Sequence, residues 1–441
     1  MTALLAVLIS TASSLPSSSL PGLSAPLVCM QSSPSYTVTL DGSSLLGGAP
    51  DLRVFVGGAW REDFNLLRSS PVMGHDSLGS YTGTDCTYAL GAATGPAFIV
   101  ISAYVYASAD ASPSSSLVRF RYVLPTGALG TNHTAAHPKG KSTILNYPAF
   151  TNSASLLPNL ITWQDSFVQP QNTIAYGQAG GPLLSYGADV AGRATLFGPM
   201  DNFLTSALGD EVNEANQCAG DTKSTACFSA GTAMTVTQLP AGFSHSWLLV
   251  ADTGLTPTVA AWGTIMRAYY GGTSQKLTDP SLSAIGYQTD NGAQLCFGCP
   301  NQILDKCLLD EKAYLDSIKV PIQYLSFQNA WWKSGGESAP WCVGEWVPEA
   351  NKVPMGIQAF QKALGLPLQL YAPYFCATSA YPQNFSMIRS DTTLPGCNSF
   401  DFYDAAPEES RAFYDFLFDL GADYGMTMFE PDFLNQVSGK K

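Results

Sequence analysis

Charge is what this chain has least of. Only 12% of its 441 residues are Asp, Glu, Lys or Arg, and 21 basic against 34 acidic residues leave a net charge of -13. No basic cluster offsets that balance, so the surface repels phosphate backbones, which argues against a nucleic-acid partner. Histidine is scarce too. His75, His133, His137 and His245 are the whole set; none completes a triad or a ligand set, and all four read as structural. No stretch approaches the roughly 18 continuous apolar residues of a membrane span. A Gly-rich phosphate loop and a G-x-S-x-G elbow are both missing, which sets aside nucleotide and serine-hydrolase chemistry.

What is present is glycine (40), proline (29) and a hydrophobic fraction of 46%, the balance of secreted β-rich and carbohydrate-active proteins rather than of helical bundles. Residues 1–26 read as a signal peptide followed by a Ser/Pro-rich leader. The apolar run Leu4-Leu-Ala-Val-Leu-Ile9 is followed by small residues at Ser10 and Ala12, although the usual positive n-region is absent. A secretory route, secreted or lysosomal, favours disulfides among the ten cysteines. Cys218 and Cys227 bracket a polar loop and make the first candidate pair. Cys296-Phe-Gly-Cys299 with Cys307 leaves either zinc or oxidised or buried thiols open, with no histidine nearby to complete a metal site. Asn132-His-Thr and Asn384-Phe-Ser are glycosylation sequons that matter only in such a compartment.

Residues 27–275 carry short apolar runs rich in β-branched and aromatic residues, punctuated by Gly, Pro, Ser and Asp. Tyr36–Leu40, Leu52–Val56, Ala97–Tyr106, Leu117–Val123 and Ser246–Val250 are examples. Their alternation predicts half-buried antiparallel strands, and their number predicts a sandwich. A helix is expected from near Pro257, with Val259, Trp262, Ile265 and Met266 on its apolar face. Over residues 276–441 the rhythm becomes strand, loop, helix, strand. Strands are expected at 284–287, 322–327, 367–371 and 425–429, with helices at 301–318, 355–364 and 407–420. The last helix is expected to carry Pro407-Glu-Glu in its first turn. Such alternation predicts a parallel sheet, here a partial (β/α)8 barrel of about four β/α units. Polar and aromatic clusters follow the strands: Gln288-Thr-Asp290-Asn-Gly, Gln328-Asn329-Ala-Trp331-Trp332, Tyr374, and Glu430-Pro-Asp432. Barrel enzymes place their chemistry at these strand ends, where the loops converge on one mouth.

The stretches Ile285-Gly-Tyr-Gln-Thr-Asp-Asn-Gly292, Tyr324-Leu-Ser-Phe-Gln-Asn-Ala-Trp-Trp332, Trp346-Val-Pro348, Leu364-Gly-Leu-Pro-Leu368 and Met428-Phe-Glu-Pro-Asp-Phe-Leu434 resemble an uncharacterised eukaryotic family of α-galactosidase and raffinose-synthase-like proteins. In that family the corresponding motifs read G-Y-W-T-D-N-G-A, L-Q-L-D-S-W-W and E-Q-D-W-L. The resemblance covers about 150 residues of the C-terminal part. It implies retaining chemistry on α-linked sugars with no metal and no organic cofactor, which needs two carboxyl groups about 5–5.5 Å apart. It also implies Asp432 as nucleophile, with Asp290, Asn329, Trp331, Trp332 and Glu430 as substrate-binding residues and a carbohydrate, an α-galactoside for instance, as partner. The indoles would offer a flat wall to the pyranose.

Departures from the pattern point the other way. Asn329 stands where the family has Asp, Gln288 and Phe433 where it has Trp, and the acid/base of the wider clan comes from beyond a sixth strand, whereas the sequence ends at Lys441. The expectation is therefore an α-glycosidase-like site that is incomplete as written; a catalytically inactive carbohydrate-binding or structural glycoprotein is the alternative. Each candidate also has a plainer reading. Asp432 and Glu430 could be solvated or paired acids, Asp290-Asn-Gly a turn, and of two adjacent tryptophans on a strand at least one should be core.

Overall fold

A computed structural model describes residues 22–48, 51–110, 112–132, 143–151, 159–164, 167–171, 178–179, 181–187, 192–210, 227–272, 280–289, 299, 303–328, 331–335, 342–376, 378–390, 402–406 and 409–432. The protein is β-rich, with many sheets and few helices, and it divides into two compact units, Met1–Thr273 and Ser274–Lys441. No helix among the described residues is long and apolar enough to cross a membrane.

In the first unit the strand Ser116–Leu124 shows how pattern becomes fold. Val118, Phe120, Tyr122 and Leu124 point inward and are buried, while Arg119, Arg121 and Val123 alternate onto the other face. This strand is central to a nine-stranded antiparallel sheet whose edge strand is Phe64–Asp76. Pro71 sits in that edge, where a missing ladder donor costs nothing and discourages pairing with another chain. A second, eight-stranded sheet contributes Tyr36, Phe150 and Phe228 to the same core as Phe120, Phe197 and Trp247 of the first. The rings of Phe150 and Phe120 meet edge to face at 5.5 Å and those of Phe150 and Phe197 at 5.7 Å, geometries that add to the area they bury.

The helix Leu255–Tyr269 lies on the outer face of the nine-stranded sheet, with Ala261, Ile265 and Met266 packed on Leu117, Leu248 and Val250. Ile265 and Met266 are buried as their spacing predicts, Trp262 is partly buried, and Val259 is 40% exposed because Ala261 takes the contact position instead. Cys29 is bonded to Cys86, tying the strand Leu27–Cys29 to Gly79–Leu90, the strand that forms a long hairpin with Phe64–Asp76. Cys227 is disulfide-bonded as well; Cys218 lies outside the described residues, as do His133 and His137.

In the second unit four strands, Ile285–Gln288, Ile322–Phe327, Leu368–Ala372 and Met426–Pro431, pair in that order, all parallel. The helices Leu304–Ser317, Ile357–Leu364 and Ser410–Asp423 occur in the intervals between them. All three fall where the apolar spacing puts them, give or take a few residues at each end. The last starts at Ser410 with no acid in its first turn, and Pro407 and Glu408 lie outside the described residues. Strand alternation divides the parallel sheet into two unlike faces. Leu325, Phe327, Leu368 and Leu370 are buried with Phe360 and Leu417 of the helices. Ser326, Gln328, Gln369, Tyr371, Glu430 and Asp432 occupy the opposite parity. Gly286 of the first strand is explained by that second face, since a Cβ there would collide with the ring of Tyr324 on the neighbouring strand.

A five-stranded mixed sheet is built from the segments that follow the second and third parallel strands. Cys342 and Cys376 join two of its strands, Val343–Pro348 and Phe375–Cys376, at their ends, and Gly335 lacks a Cβ because one would strike both sulfurs. This bridge closes a loop of 34 residues, for which the chain-entropy gain is about 4 kcal/mol. The Cys342→Ser/Cys376→Ser double variant is expected to lose about that much in urea unfolding of the second unit; an unchanged midpoint would show the bridge to be dispensable. Cys299 and Cys307 are also bonded to each other, which decides between the two readings left open for them; Cys296 lies outside the described residues.

Candidate functional site

The polar face of the parallel sheet gathers its groups at the C-terminal strand ends. Glu430 accepts from the Gln369 amide at 2.7 Å and from the Ser326 hydroxyl at 3.3 Å, and its other oxygen accepts from the Gln328 amide. Three strands thus hold one carboxylate through neutral donors rather than through a basic side chain. Gln328 and Ser326 are buried, so each of those donors would cost about 1–3 kcal/mol if left unpaired. Thr289, also buried, accepts the Gln328 backbone N–H at 2.9 Å and gives its own N–H to the Ser326 carbonyl at 3.2 Å, fastening the first strand's exit to the second.

Asp432 stands one turn of the pleat further out and is exposed. Its backbone N–H donates to the Ala372 carbonyl at 3.1 Å, which prolongs the parallel pairing, and its Oδ2 accepts the Tyr371 hydroxyl at 2.8 Å. Tyr371 and Asp432 therefore share the face that carries Glu430. A depression beside them is lined by Tyr374, Phe375, Tyr403, Asp404, Phe429 and Asp432, among others. Asp404 was not distinguished by the sequence, because the segment around it carries no motif. It accepts the Ala405 N–H at 2.8 Å and the Tyr414 hydroxyl at 3.3 Å. Burial, with Asp404 adding to it, pushes the Tyr414 phenol well above its usual range, so that hydroxyl stays a donor.

The sequence candidates fare unequally. Glu430 and Asp432 lie on one face, two residues apart. Asp290 and Asn329 lie outside the described residues. Trp331 and Trp332 are 0% and 1% exposed. Trp331 packs on Phe327, Trp346 and Tyr424 at centroid distances of 6.0, 5.3 and 6.1 Å. Trp332 lies 5.8 Å from the Tyr371 ring and donates its indole N–H to the Cys342 carbonyl at 3.3 Å. The flat wall expected from these indoles thus faces protein. Residues that sequence reasoning missed are Ser326, Gln369, Tyr371 and Tyr324, recoverable only from the strand parity they share with Glu430. Among the described residues no group of His, Cys, Asp and Glu could hold a metal ion.

No protein-family model matches the chain, and no curated protein does. Among solved structures it is similar to glycoside hydrolases. An α-N-acetylgalactosaminidase from Bifidobacterium bifidum matches at 9% identity, over 92% of this chain and 68% of that one, with a TM-score of 0.49. A β-arabinopyranosidase matches at 12% identity over 93% and 60% with a TM-score of 0.47, and an ER glucosidase II complex at 10% over 95% and 52% with a TM-score of 0.35.

Proposed function

We propose that the second unit is the sugar-handling part of an α-glycosidase-like protein, built as part of a (β/α)8 barrel and preceded by a β-sandwich. The observation that carries this reading is the convergence of Ser326, Gln328, Gln369, Tyr371, Glu430 and Asp432, from three successive parallel strands, on one face. Parallel strand ends are where side chains from distant sequence meet, and hydroxyls, amides and carboxylates are the groups that read sugar hydroxyls. In this reading Asp432 is the nucleophile. It is exposed, at the strand end, and oriented by the Tyr371 hydroxyl, whereas every donor around Glu430 is neutral and fixed, which suits a binding or positioning role. Asp290 and Asn329 would bind substrate hydroxyls from the first two strands. The disulfides support passage through an oxidising compartment.

The reaction class follows from the chemistry of such a carboxylate. Asp432 attacks the anomeric carbon, the glycosidic C–O bond breaks, and the leaving oxygen takes a proton from a second carboxyl group; water then releases the sugar with net retention. The test is turnover of aryl α-galactosides beside their β-anomers and beside aryl α-glucosides. Release from an α-anomer supports the reading. A protein that binds oligosaccharides and releases nothing from any of them would favour the non-catalytic alternative that the Asn329 substitution suggests.

A further inference from the structure

We propose that the outer face of the nine-stranded sheet in the first unit carries a second, non-catalytic binding site for a neutral pyranose, built on Tyr81, Asp85 and Arg121. Asp85, Ser102 and Arg121 stand in one cross-strand row, Asp85 opposite Ser102 and Ser102 opposite Arg121. With strands about 4.8 Å apart, the acid and the base are roughly 10 Å apart at the backbone. They do not reach each other. Among the described residues the Arg121 guanidinium has no hydrogen-bond or ion-pair partner, and its Nε is enclosed. An arginine presents five donors in a rigid fork; the enclosed Nε is left unpaired, which is costly, and the terminal nitrogens of this half-buried group are free to take a ligand's hydroxyls.

The complementary acceptor is at the other end of the row. Asp85 Oδ1 is held by the Ser102 hydroxyl at 2.7 Å and the Tyr104 hydroxyl at 2.8 Å, which fixes the carboxylate and leaves Oδ2 open. Ser102 between them is buried and short, so the row has a raised donor, a low centre and a raised acceptor. That spacing matches adjacent hydroxyls on a sugar ring, one accepting from Arg121 and one donating to Asp85. One positive and one negative group face the gap, so a neutral ligand fits better than an anion or a cation.

The apolar floor comes from tyrosines that lie down on the sheet. A Cβ on Gly74 would meet the Tyr81 ring at 2.8 Å, and one on Gly83 would meet the Tyr104 ring at 2.7 Å. Glycine at both cross-strand positions is what lets the rings lie flat. Tyr81 and Tyr104 then pack side by side at 4.9 Å, with Tyr81 half-buried and Tyr104 nearly covered. Tyr81 is therefore the ring that offers a face to the apolar side of a pyranose. Arg119, by contrast, is already engaged by Asp76 at 3.5 Å, Ser246 at 3.1 Å and the Tyr269 ring at 5.6 Å, and takes no part.

Native gels of the whole protein cast with guar galactomannan, soluble starch or polygalacturonate test this directly. The wild type is expected to be retarded by at least one of the neutral polymers. Tyr81→Ala and Arg121→Ala are each expected to raise its apparent Kd at least tenfold, while Tyr81→Phe, which keeps the ring, binds normally. Tyr81→Ala is expected to turn over an aryl α-galactoside as the wild type does while losing retardation, which separates this site from the proposed catalytic one. Circular dichroism melts identify any variant whose loss comes from unfolding; for such a variant, Arg121→Lys with its single point charge provides the same test and is expected to lose most of the binding. The proposal is overturned if no neutral polymer retards the wild type, if retardation occurs with polygalacturonate alone, or if Arg121→Ala migrates as the wild type does in every gel.

Discussion

Asp432→Asn is expected to lower kcat/KM on an aryl α-galactoside by at least about a thousandfold while leaving the unfolding midpoint unchanged. Asparagine keeps the volume and one oxygen, so the 2.8 Å hydrogen bond from the Tyr371 hydroxyl survives. The side chain is exposed, so little packing is at stake. What disappears is the nucleophile. In an Asp432→Gly variant, azide can enter the vacated space and attack from the same side, returning a β-galactosyl azide if the bond being cut is α-linked. Glu430→Gln makes the useful contrast. Its network of Ser326, Gln328 and Gln369 loses its anion, so both stability and substrate affinity should suffer. A thousandfold loss with Glu430→Gln and none with Asp432→Asn would exchange the two roles.

The second large effect concerns the first unit and acid. His245 is 0% exposed. Its Nε2 is 2.9 Å from the Ser206 hydroxyl, and its Nδ1 is 3.3 Å from the Thr232 hydroxyl and 3.5 Å from that of Tyr122. The ring lies 5.5 Å from Trp247. Burial pushes the imidazole down to about 3, so the folded state keeps it neutral. Between pH 6.5 and about 3 the unfolded chain binds a proton that the folded chain refuses. Stability from this group is complete above pH 6.5 and is lost as pH falls, by about 2 kcal/mol at pH 5. Asp201, 4.0 Å from the ring, is held above the usual carboxylate range by burial. Its protonation therefore favours the folded state and offsets part of the loss at the acid end.

Urea unfolding at pH 7, 6 and 5 for the wild type and His245→Asn measures the histidine's share. The wild type should lose about 2 kcal/mol more across that range than the variant. Equal slopes would mean that the ring is not held neutral.

What the sequence made legible was whatever rests on periodicity. The runs Ile322–Phe327 and Leu368–Leu370 are apolar because one face packs on helices, and those helices show their own apolar spacing. Strand parity then placed Glu430 and Asp432 together. The long hairpin Phe64–Asp76 and Gly79–Leu90 was not among the strands recognised. Its Arg, Ser, Gly and Pro71 read as loop, and only its edge position makes that composition compatible with a strand. Gln369 was overlooked for a related reason: a lone glutamine within Pro-Leu-Gln-Leu-Tyr looks like the solvent side of a strand, and its partner Glu430 is 61 residues away. Trp331 and Trp332 illustrate the opposite error. Large rings after a strand suggest a sugar wall, but a ring as large as indole is as easily the centre of a core, and here Trp346 and Tyr424 close around it. The disulfide pairings Cys29–Cys86 and Cys342–Cys376 could not be deduced from spacing at all, since ten cysteines permit many connectivities.

The central claim, that Asp432 is the nucleophile of a sugar-cleaving site, is tested most directly by covalent capture. A 5-fluoro-α-galactosyl fluoride loses fluoride without help from an acid, and its ring fluorine slows release, so the glycosyl–enzyme accumulates. Peptide mass mapping after incubation is predicted to find the fluorosugar ester on Asp432. Recovery of the ester on Asp404 or Glu430, or no ester anywhere after prolonged exposure, would contradict it.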